Sequence, residues 1–333
     1  MSIDKTAIIG AGSWGTALAS LWGRDRRQIS LWGNNGARVE RMRKTRENPD
    51  YLRGLKLPDS VTVTHELRDC AHADLIVFVT PSTILRAIAM RLQGVVMKGQ
   101  AVLLSCTKGI EHGTGMRMSE ILSEIFPEHK IAVLSGPNLA AEVARNVPTA
   151  TVIACQDPEC ATHLQGFLGS SRFRIYTSDD LTSVELGGAL KNVFAIAAGA
   201  SDGLGLGDNT KAALVTRSLA ELVRLGSAMG GNLRSFYGLS GVGDLIATCF
   251  SSHSRNRHVG ECLGRGQTLQ QITSAMEMVA EGVPTAKSAY ECARRLGIDT
   301  PIIDQVYGLL YKGKPPVQAM HDLLERDQKS EQI

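Results

Sequence analysis

The chain has 333 residues, of which 43% are hydrophobic and 21% are charged. This composition excludes a disordered or fibrous protein, and the length predicts about two domains, each with a core of its own. The 36 basic and 33 acidic residues leave a net charge of +3, which argues against nucleic acid or an anionic membrane surface as a partner.

Cysteine and histidine usage gives no sign of a metal site. The seven cysteines have scattered spacings, and the eight histidines show no ligand pattern such as H-E-x-x-H, so we expect reduced thiols and no metal.

No apolar run reaches the ~18–20 residues of a membrane span. The first residues also lack the apolar stretch of a signal peptide. We therefore expect a cytoplasmic protein without membrane insertion.

The first half of the chain alternates short β-rich runs with helical stretches. Residues 75–79 are continuously apolar, which is typical of a strand covered on both faces. Repetition of strand, helix and strand predicts an α/β fold with a doubly wound parallel sheet. The predicted strands are 6–9, 29–32, 61–64, 75–80, 101–105, 131–134, 149–154 and 173–176.

The pattern changes near Ser178, after which the chain reads as successive helices. Pro284, Pro301 and Pro316 stand at helix starts, where proline is tolerated. We predict an α/β domain over 1–178 and an all-helical C-terminal domain over 179–333, with 326–333 disordered. The predicted helices are 181–199, 211–229, 241–248, 256–265, 269–276, 285–296, 301–311 and 316–324.

A glycine-rich turn follows the first predicted strand. Residues 10–15 read G-A-G-S-W-G and lead into a helical run. Gly10 allows a tight turn, Gly12 lets the backbone approach a pyrophosphate, and Gly15 allows close packing of helix on strand. The alternative is a purely structural glycine turn, but the order of strand, loop and helix is the one that a dinucleotide site requires. We predict that domain 1–178 binds a dinucleotide cofactor.

The end of the second predicted strand bears on the choice of cofactor. An acidic residue about 20 positions after the loop usually binds the adenosine ribose of NAD, whereas this chain has Asn34 and Asn35 there. Neutral side chains do not repel a 2′-phosphate, so the pattern favours NADPH over NADH while allowing both. The basic cluster that follows could bind this phosphate or form a solvated helix face; it comprises Arg38, Arg41, Arg43, Lys44 and Arg46.

Ligands of doubly wound sheets bind outside the carboxyl ends of the strands. Polar motifs follow three predicted strands, at residues 80–82, 106–109 and 135–140. Lys108 could offer a point charge to a phosphate or carbonyl oxygen. Its position at a strand end beside a glycine favours this role over that of an exposed loop lysine.

Residues 186–200 are small or apolar nearly all round, which predicts a buried helix. Lys191 lies in this segment, and a buried lysine is costly unless it is paired or deprotonated. Burial lowers the pKa of a lysine and suits it to proton transfer near neutral pH. The alternative is a structural ion pair, for example with Glu185.

Further polar groups follow in the helical half. Asp244 comes after G-V-G at 241–243 and precedes an apolar turn. The segment 254–257 offers hydroxyl, guanidinium and amide groups where a helix begins, a combination that suits a phosphate. The alternative is an N-cap with surface arginines. Glu281, in a turn into another helix, could reach a ribose or nicotinamide.

Six motifs run through both halves of the chain in order. They are G-A-G-S-W-G-T-A at 10–17, C-T-K-G at 106–109, S-G-P at 135–137, L-G-G-A-L-K-N at 186–192, G-V-G-D-L at 241–245 and S-R-N-R at 254–257. Together they resemble those of the bacterial NAD(P)-dependent glycerol-3-phosphate dehydrogenases, over essentially the whole length. The last three motifs are far more specific than the glycine loop.

The resemblance implies a Rossmann domain, a helical domain and an active site between them. It implies reversible reduction of dihydroxyacetone phosphate by NADPH or NADH to sn-glycerol 3-phosphate, for phospholipid synthesis, with Lys191 as the proton acceptor. The implied substrate contacts are Lys108, Gly136, Asn138, Lys191, Asp244, Ser254, Arg255 and Asn256. The implied cofactor contacts are Ser13, Trp14, Asn34, Lys108, Ala140, Arg255, Val279 and Glu281, beside Gly10, Gly12 and Gly15.

Two residues depart from the family pattern. Asn138 stands where many members have Ser or Thr but keeps a hydrogen-bonding group, and Asn34 stands where a different polar or basic residue is frequent.

Two other functions stay open. One is a β-hydroxyacid dehydrogenase, whose carboxylate substrate needs fewer phosphate donors than 254–257 supplies. The other is a dinucleotide sensor, which has no use for a buried lysine. Apolar helix faces are compatible with a homodimer.

Overall fold

The computed structural model describes residues 2–25, 27–95, 101–276, 278–328 and 330–331. Packing divides the chain into two compact units. The first comprises Met1–Thr107 and Met118–Leu181, and the second comprises Lys108–Arg117 and Thr182–Ile333. The sequence boundary at residue 178 stays a prediction. Of the segment 326–333, for which the sequence predicts disorder, residues 329, 332 and 333 lie outside the described residues.

The first unit alternates strands and helices, and the eight predicted strands are confirmed within two residues of their predicted ends. The helices are α1 (Ser13–Gly23), α2 (Gly36–Thr45), α3 (Leu85–Gln93), α4 (Met118–Ile125), α5 (Ala140–Ala144) and α6 (Pro158–Leu168). The strands are β1 (Lys5–Ile9), β2 (Gln28–Trp32), β3 (Glu47–Asn48), β4 (Leu52–Lys56), β5 (Val61–Thr64), β6 (Leu75–Phe78), β7 (Val102–Ser105), β8 (Lys130–Ser135), β9 (Thr149–Cys155) and β10 (Phe173–Ser178).

Within the described residues, eight of these strands form one sheet in the order β10-β9-β8-β7-β6-β1-β2-β5. Strand β1 lies between β2 and β6, and Thr6 pairs in parallel with Ile29 on one side and Leu75 on the other. The run β5-β2-β1-β6-β7-β8 has the strand order of a doubly wound dinucleotide-binding sheet, with its switch point between β1 and β6. The predicted α/β fold class is therefore confirmed.

The sheet departs from the predicted parallel arrangement between β8 and β9, which run antiparallel to each other. Strand β10 is parallel to β9, so these last two strands both run opposite to the rest of the sheet. A parallel crossover needs a connection that carries the chain back along the sheet, usually a helix. Helix α5, between β8 and β9, has only five residues, whereas α6, between β9 and β10, has 11. The short connection explains why the chain reverses at β9.

The core of the first unit surrounds the middle of this sheet. Ile8, Leu31, Val77 and Leu104 come from four strands and are fully buried in one cluster. Strand β6 is buried along its whole length. This burial on both faces explains why residues 75–79 are apolar without alternation.

A two-stranded antiparallel ribbon, β3 with β4, is absent from the sequence prediction. Its strands have two and five residues, and they show no alternation of apolar and polar side chains. The ribbon is fixed instead by Asn48, which is fully buried. Because this anchor is one polar side chain, the periodicity of the sequence gives no signal for it.

The second unit is helical, as predicted. The predicted helix 241–248 is a π-helical turn, Leu239–Gly243, followed by an α-helix. The α-helices are α7 (Leu181–Gly203), α8 (Gly207–Ala228), α9 (Asp244–Phe250), α10 (Arg255–Gly264), α11 (Leu269–Ala275), α12 (Gly282–Leu296), α13 (Pro301–Tyr311) and α14 (Pro316–Leu324).

Helix α7 is the buried centre of the second unit, and it packs backbone to backbone against α10. A Cβ atom at Gly199 would lie 1.9 Å from the Arg257 carbonyl oxygen, and one at Gly260 would lie 1.9 Å from that of Ile196. Glycine is therefore required on both helices for this approach. Across the described residues, α7 included, we find no helix with both the length and the apolarity to cross a bilayer.

A buried carboxylate fixes the start of α13. Glu221 on α8 is 1% exposed and accepts hydrogen bonds from the backbone N–H groups of Ile302 at 2.9 Å and Ile303 at 2.7 Å. Burial raises the pKa of Glu221 to about 7, although these two hydrogen bonds lower it. Glu221 thus caps the N-terminus of α13, and the free-energy cost of burying its charge depends on pH.

The raised pKa of Glu221 predicts how the free energy of unfolding depends on pH. Between its ordinary pKa of 4.5 and its folded pKa of about 7, the folded protein keeps a proton that the unfolded chain loses. The free energy of unfolding of the wild type, minus that of Glu221→Gln, should therefore fall by up to about 3 kcal/mol over this range and then level off. Urea unfolding of both proteins from pH 4.5 to 8 measures this difference; a constant difference would contradict the assignment.

Candidate active site

The glycine-rich turn joins β1 to α1, and packing fixes two of its glycines. Gly10 has φ +127°, and a Cβ atom there would lie 2.7 Å from the Val79 carbonyl oxygen. A Cβ atom at Gly15 would lie 1.9 Å from the Gly10 carbonyl oxygen. These two positions hold the start of α1 against the sheet, as the sequence pattern requires.

Gly12 differs, because a Cβ atom there would meet no atom within 4 Å among the described residues. Helix α1 begins at Ser13, directly after it, with no acidic side chain in its first turn and no side-chain cap on its described N-terminus. The indole Nε1 of Trp14 is buried and has no hydrogen-bond partner in the described part of the chain. Open space, a positive helix end and a donor side chain fit a dinucleotide diphosphate.

The side chain of Asn48, which sequence reasoning missed, holds this turn through two hydrogen bonds. Its Nδ2 donates to the Ala11 carbonyl oxygen at 2.9 Å and to the Thr16 Oγ1 at 2.8 Å. Ala11 lies in the turn and Thr16 in the first turns of α1. A single asparagine from the β3–β4 ribbon thereby fixes the loop relative to its helix.

The remaining candidates of the first unit stand at two strand ends. Asn34 is exposed after β2. Beyond β8, Gly136 packs so closely that a Cβ atom would lie 3.0 Å from the Thr151 Cα, and Ala140 opens α5. Asn138 donates from Nδ2 to the Thr151 Oγ1 at 2.9 Å, while its Oδ1 is buried with no partner in the described chain. That oxygen can accept a hydrogen bond from a ligand hydroxyl.

In the second unit, Lys191 lies on α7 with 7% of its surface exposed. Its Nζ donates to the Asp244 Oδ1 at 2.8 Å and to the Thr248 Oγ1 at 2.5 Å. The alternative partner, Glu185, is bound instead to Arg117 at 2.7 Å. An ammonium group has three N–H donors. The third donor of Lys191 has no partner within the described residues and is available to a substrate oxygen.

Asp244 also binds Lys108, whose Nζ lies 2.5 Å from its second carboxylate oxygen, Oδ2. Asp244 is 2% exposed, so one buried carboxylate serves two lysines. The three charges sum to +1, which suits a phosphorylated substrate. Lys108 and Lys191, 83 positions apart in the sequence, meet through this carboxylate.

Burial lowers the pKa of Lys191 to about 8 from its ordinary value of 10.5. The charge of Asp244 opposes this shift, and that of Lys108 adds to it. At neutral pH the side chain is therefore largely an ammonium that releases its proton readily. This is the behaviour of a general acid and base working near physiological pH.

A chain of amide hydrogen bonds ties this centre to two further helices. Asn256 donates from Nδ2 to the Asn192 Oδ1 at 2.8 Å and accepts from the Gly282 N–H at 2.8 Å. The Asn192 Nδ2 lies 3.5 Å from the Lys108 carbonyl oxygen. The second amide N–H of Asn256 has no partner among the described residues and can donate to a ligand. The network links α7, α10 and α12 next to the lysines.

The start of α10 carries the other candidates. The Ser254 hydroxyl caps the helix by accepting from the Arg257 N–H at 3.2 Å, as in the alternative interpretation of this segment. Arg255 is exposed and donates from Nη1 to the Val279 carbonyl oxygen at 2.9 Å. Glu281, two residues after Val279, stands directly before α12. Arg255 thus contacts the segment that contains Val279 and Glu281, two of the predicted cofactor contacts.

Sequence reasoning missed Thr248 and Asn192 as members of the site. Thr248 lies one helical turn after Asp244, so the spacing of four residues is the signal that could have found it. Asn192 follows Lys191 directly but points elsewhere on the helix, and no sequence pattern predicts its partner, Asn256.

Comparison with known proteins identifies the family. The family profile for the NAD-dependent glycerol-3-phosphate dehydrogenase N-terminus matches residues 5–161, and the profile for its C-terminus matches residues 180–321. The glycerol-3-phosphate dehydrogenase (NAD(P)+) of Syntrophotalea carbinolica is 48% identical, over 97% of this chain and 98% of the relative. That of Desulfitobacterium hafniense is 45% identical, over 98% and 93%.

A solved structure gives the same result. The crystal structure of glycerol-3-phosphate dehydrogenase from Coxiella burnetii superposes with a TM-score of 0.94 at 36% identity, over 97% of this chain and 99% of that one. Fold and relatives define an NAD(P)-dependent oxidoreductase. The chain belongs to the NAD-dependent glycerol-3-phosphate dehydrogenase family, which confirms the resemblance and decides against a β-hydroxyacid dehydrogenase or a dinucleotide sensor.

Two glycine variants test the cofactor loop. Gly12 has φ −82°, which any residue adopts, so Gly12→Ala should change the free energy of unfolding by less than about 1 kcal/mol. Its methyl group should nevertheless weaken NADH and NADPH binding, because it fills the open space above the loop. Gly15→Ala should instead destabilise the fold by about 1–3 kcal/mol. Chemical unfolding and nucleotide fluorescence titrations measure both effects; unchanged affinity in a folded Gly12→Ala protein would place the dinucleotide elsewhere.

Proposed function

We propose that Lys191 is the general acid and base of the NAD(P)-dependent glycerol-3-phosphate dehydrogenase reaction that this chain catalyses. The observation that supports this role is the third N–H of a buried ammonium whose other two donors are bound to Asp244 and Thr248. A lysine with a pKa of about 8 can give and take a proton near neutral pH.

When bound, the nicotinamide cofactor supplies or accepts the hydride. In the reductive direction Lys191 donates a proton to the oxygen of dihydroxyacetone phosphate as its carbonyl carbon is reduced, which gives sn-glycerol 3-phosphate. In the oxidative direction the neutral amine of Lys191 removes the hydroxyl proton. Asp244 keeps the lysine in place through both states, and Lys108 supplies a second positive charge to the substrate oxygen.

The substrate phosphate is assigned to the start of α10. Ser254 and Asn256 are nearly buried there, and Arg255 offers a guanidinium group on the exposed side. A helix start with a positive charge and an amide donor is suited to a phosphate dianion. On the first unit, Gly136 and the unpartnered Oδ1 of Asn138 are assigned to a substrate hydroxyl.

The cofactor is assigned to the glycine loop of the first unit, with Ser13 and Trp14 at its diphosphate. The further contacts assigned to it are Gly10, Gly12, Gly15, Asn34, Lys108, Ala140, Arg255, Val279 and Glu281. We also propose cytoplasmic localisation, a homodimer, no nucleic-acid partner and a role in supplying sn-glycerol 3-phosphate for phospholipids. These proposals follow from family resemblance and composition.

Lys191→Ala tests the central assignment. Loss of a general acid and base should lower kcat/KM for dihydroxyacetone phosphate by about 10²–10⁴-fold, while the Kd for NADH and NADPH stays unchanged. Oxidation of either cofactor, followed at 340 nm, gives the rate. Lys211→Ala is a matched control, because Lys211 is also buried and paired, with Asp202 at 2.8 Å. Comparable losses in the two variants, or near-normal turnover of Lys191→Ala, would remove Lys191 from the chemistry.

The pH dependence of kcat/KM tests the charges around Lys191. The reductive rate should fall, and the oxidative rate should rise, as pH passes about 8. Since Lys108 lowers the pKa of Lys191, Lys108→Ala should raise this kinetic pKa. Since Asp244 raises it, Asp244→Asn should lower it. Shifts in the same direction for both variants would show that the profile reports another group.

A further inference from the structure

Helix α2 and the turn between β3 and β4 carry another arrangement in which two cations share one carboxylate. The Arg38 Nε lies 2.8 Å from the Asp50 Oδ2, and the Arg41 Nη2 lies 2.6 Å from the same oxygen. The Arg38 guanidinium also lies over the Tyr51 ring, 4.7 Å from its centroid, and donates to the Tyr51 hydroxyl at 3.3 Å. Two positive charges here face one negative charge.

Arg38 and Arg41 lie on α2, the helix that directly follows β2. The adenosine ribose of a dinucleotide binds at the end of the second strand of a doubly wound sheet. Strand β2 ends at Trp32, and α2 begins four residues later at Gly36. Asn35 caps α2 by accepting from the Arg38 N–H at 2.9 Å, so Arg38 belongs to the first helical turn beside the strand end.

The other members of the predicted basic cluster are farther along and engaged elsewhere. With a rise of ~1.5 Å per residue, Arg43 and Arg46 stand about 7–12 Å beyond Arg38. Arg43 donates to the Val63 carbonyl oxygen at 2.8 Å, Lys44 pairs with Glu40 at 3.4 Å, and Arg46 donates to the Pro58 carbonyl oxygen. Within this basic cluster, Arg38 and Arg41 are therefore the two members that share Asp50 and stand nearest the start of α2.

The Arg38–Asp50 pair is accessible enough to be exchanged. Both side chains are 26% exposed and Arg41 is 58% exposed, so solvent screens the pairing and little energy is lost when it opens. The hydrogen bond from Arg38 lowers the pKa of Asp50, which keeps the carboxylate charged at neutral pH. A phosphate dianion offers a guanidinium fork a stronger partner than one carboxylate oxygen does.

We propose that Arg38, helped by Arg41, binds the 2′-phosphate of NADPH, and that Asp50 competes with this phosphate for the two guanidinium groups. The balance between Arg38 and Asp50 then sets the preference for NADPH over NADH. Asn34, which lacks a charge, leaves the choice to this cluster. The inference rests on the proposed cofactor site at the glycine loop.

Dissociation constants for NADPH and NADH, from nucleotide fluorescence titrations, test the inference. Titration calorimetry with 2′,5′-ADP and with 5′-ADP isolates the contribution of the 2′-phosphate. Arg38→Ala should weaken NADPH and 2′,5′-ADP binding about tenfold or more, a charge-assisted hydrogen-bond effect, and leave NADH and 5′-ADP within about twofold. Asp50→Asn should tighten NADPH binding and leave NADH unchanged. Arg43→Ala, which removes the same charge from the same helix, should move the NADPH/NADH ratio less than about twofold.

Each contrary outcome is distinct. Equal effects of Arg38→Ala on NADPH and NADH, or weaker NADPH binding in Asp50→Asn, would overturn the inference while both nucleotides still bind. An Arg43→Ala effect as large as that of Arg38→Ala would reduce the cluster to general electrostatics. Failure of the wild type to bind either nucleotide would overturn the proposed cofactor site itself. Thermal unfolding of each variant identifies any loss of fold, and Asp50→Asn tests the inference without removing an arginine.

Discussion

The burial of the Lys191 ammonium against a carboxylate that it shares with Lys108 is the constraint on which the helical half of this protein depends. An unpaired charge at such depth would cost several kcal/mol, and Asp244, itself 2% exposed, compensates two of them at once. The compensation is incomplete, since one positive charge remains. Burial, helped by the charge of Lys108, keeps the pKa of Lys191 near 8, and the remaining positive charge favours anions at the site. The cost of burial and the proposed capacity for proton transfer thus have the same origin.

Such a charge arrangement works only if its supports cannot move apart. Helices α7 and α10 meet through Gly199 and Gly260, where side chains would collide with the facing backbone. This contact sets the distance at which Asn192 and Asn256 can share a hydrogen bond, and Asn256 in turn holds the start of α12 through the Gly282 N–H. Close packing and a satisfied amide network therefore fix the proposed phosphate site beside the lysine before any ligand arrives.

Local pattern in the sequence predicts the elements well, because periodicity and glycine spacing record which faces are buried. It identifies the strands, the glycine turn and Lys191 in its apolar helix. It does not predict which charges meet, since Lys108 and Asp244 are 136 positions apart and their contact is made by the tertiary fold. The reversal of β9 depends on the length of α5, and the β3–β4 ribbon depends on the single anchor Asn48. Neither leaves a periodic signal.

Asp244 and Asp50 each hold a pair of cations, and the depth of burial decides what each pair can do. Around Asp244 the charges are nearly excluded from water, so each one changes the proton affinity of its neighbour. Around Asp50 the side chains are a quarter or more exposed, so solvent weakens the coupling and the partners can be exchanged. Lysine, whose pKa responds to burial, occupies the buried pair, and arginine, which stays charged and forks onto phosphates, occupies the exposed one. The residue types and the depths are thus matched: the buried pair suits transfer of a proton, and the exposed pair suits recognition of an anion.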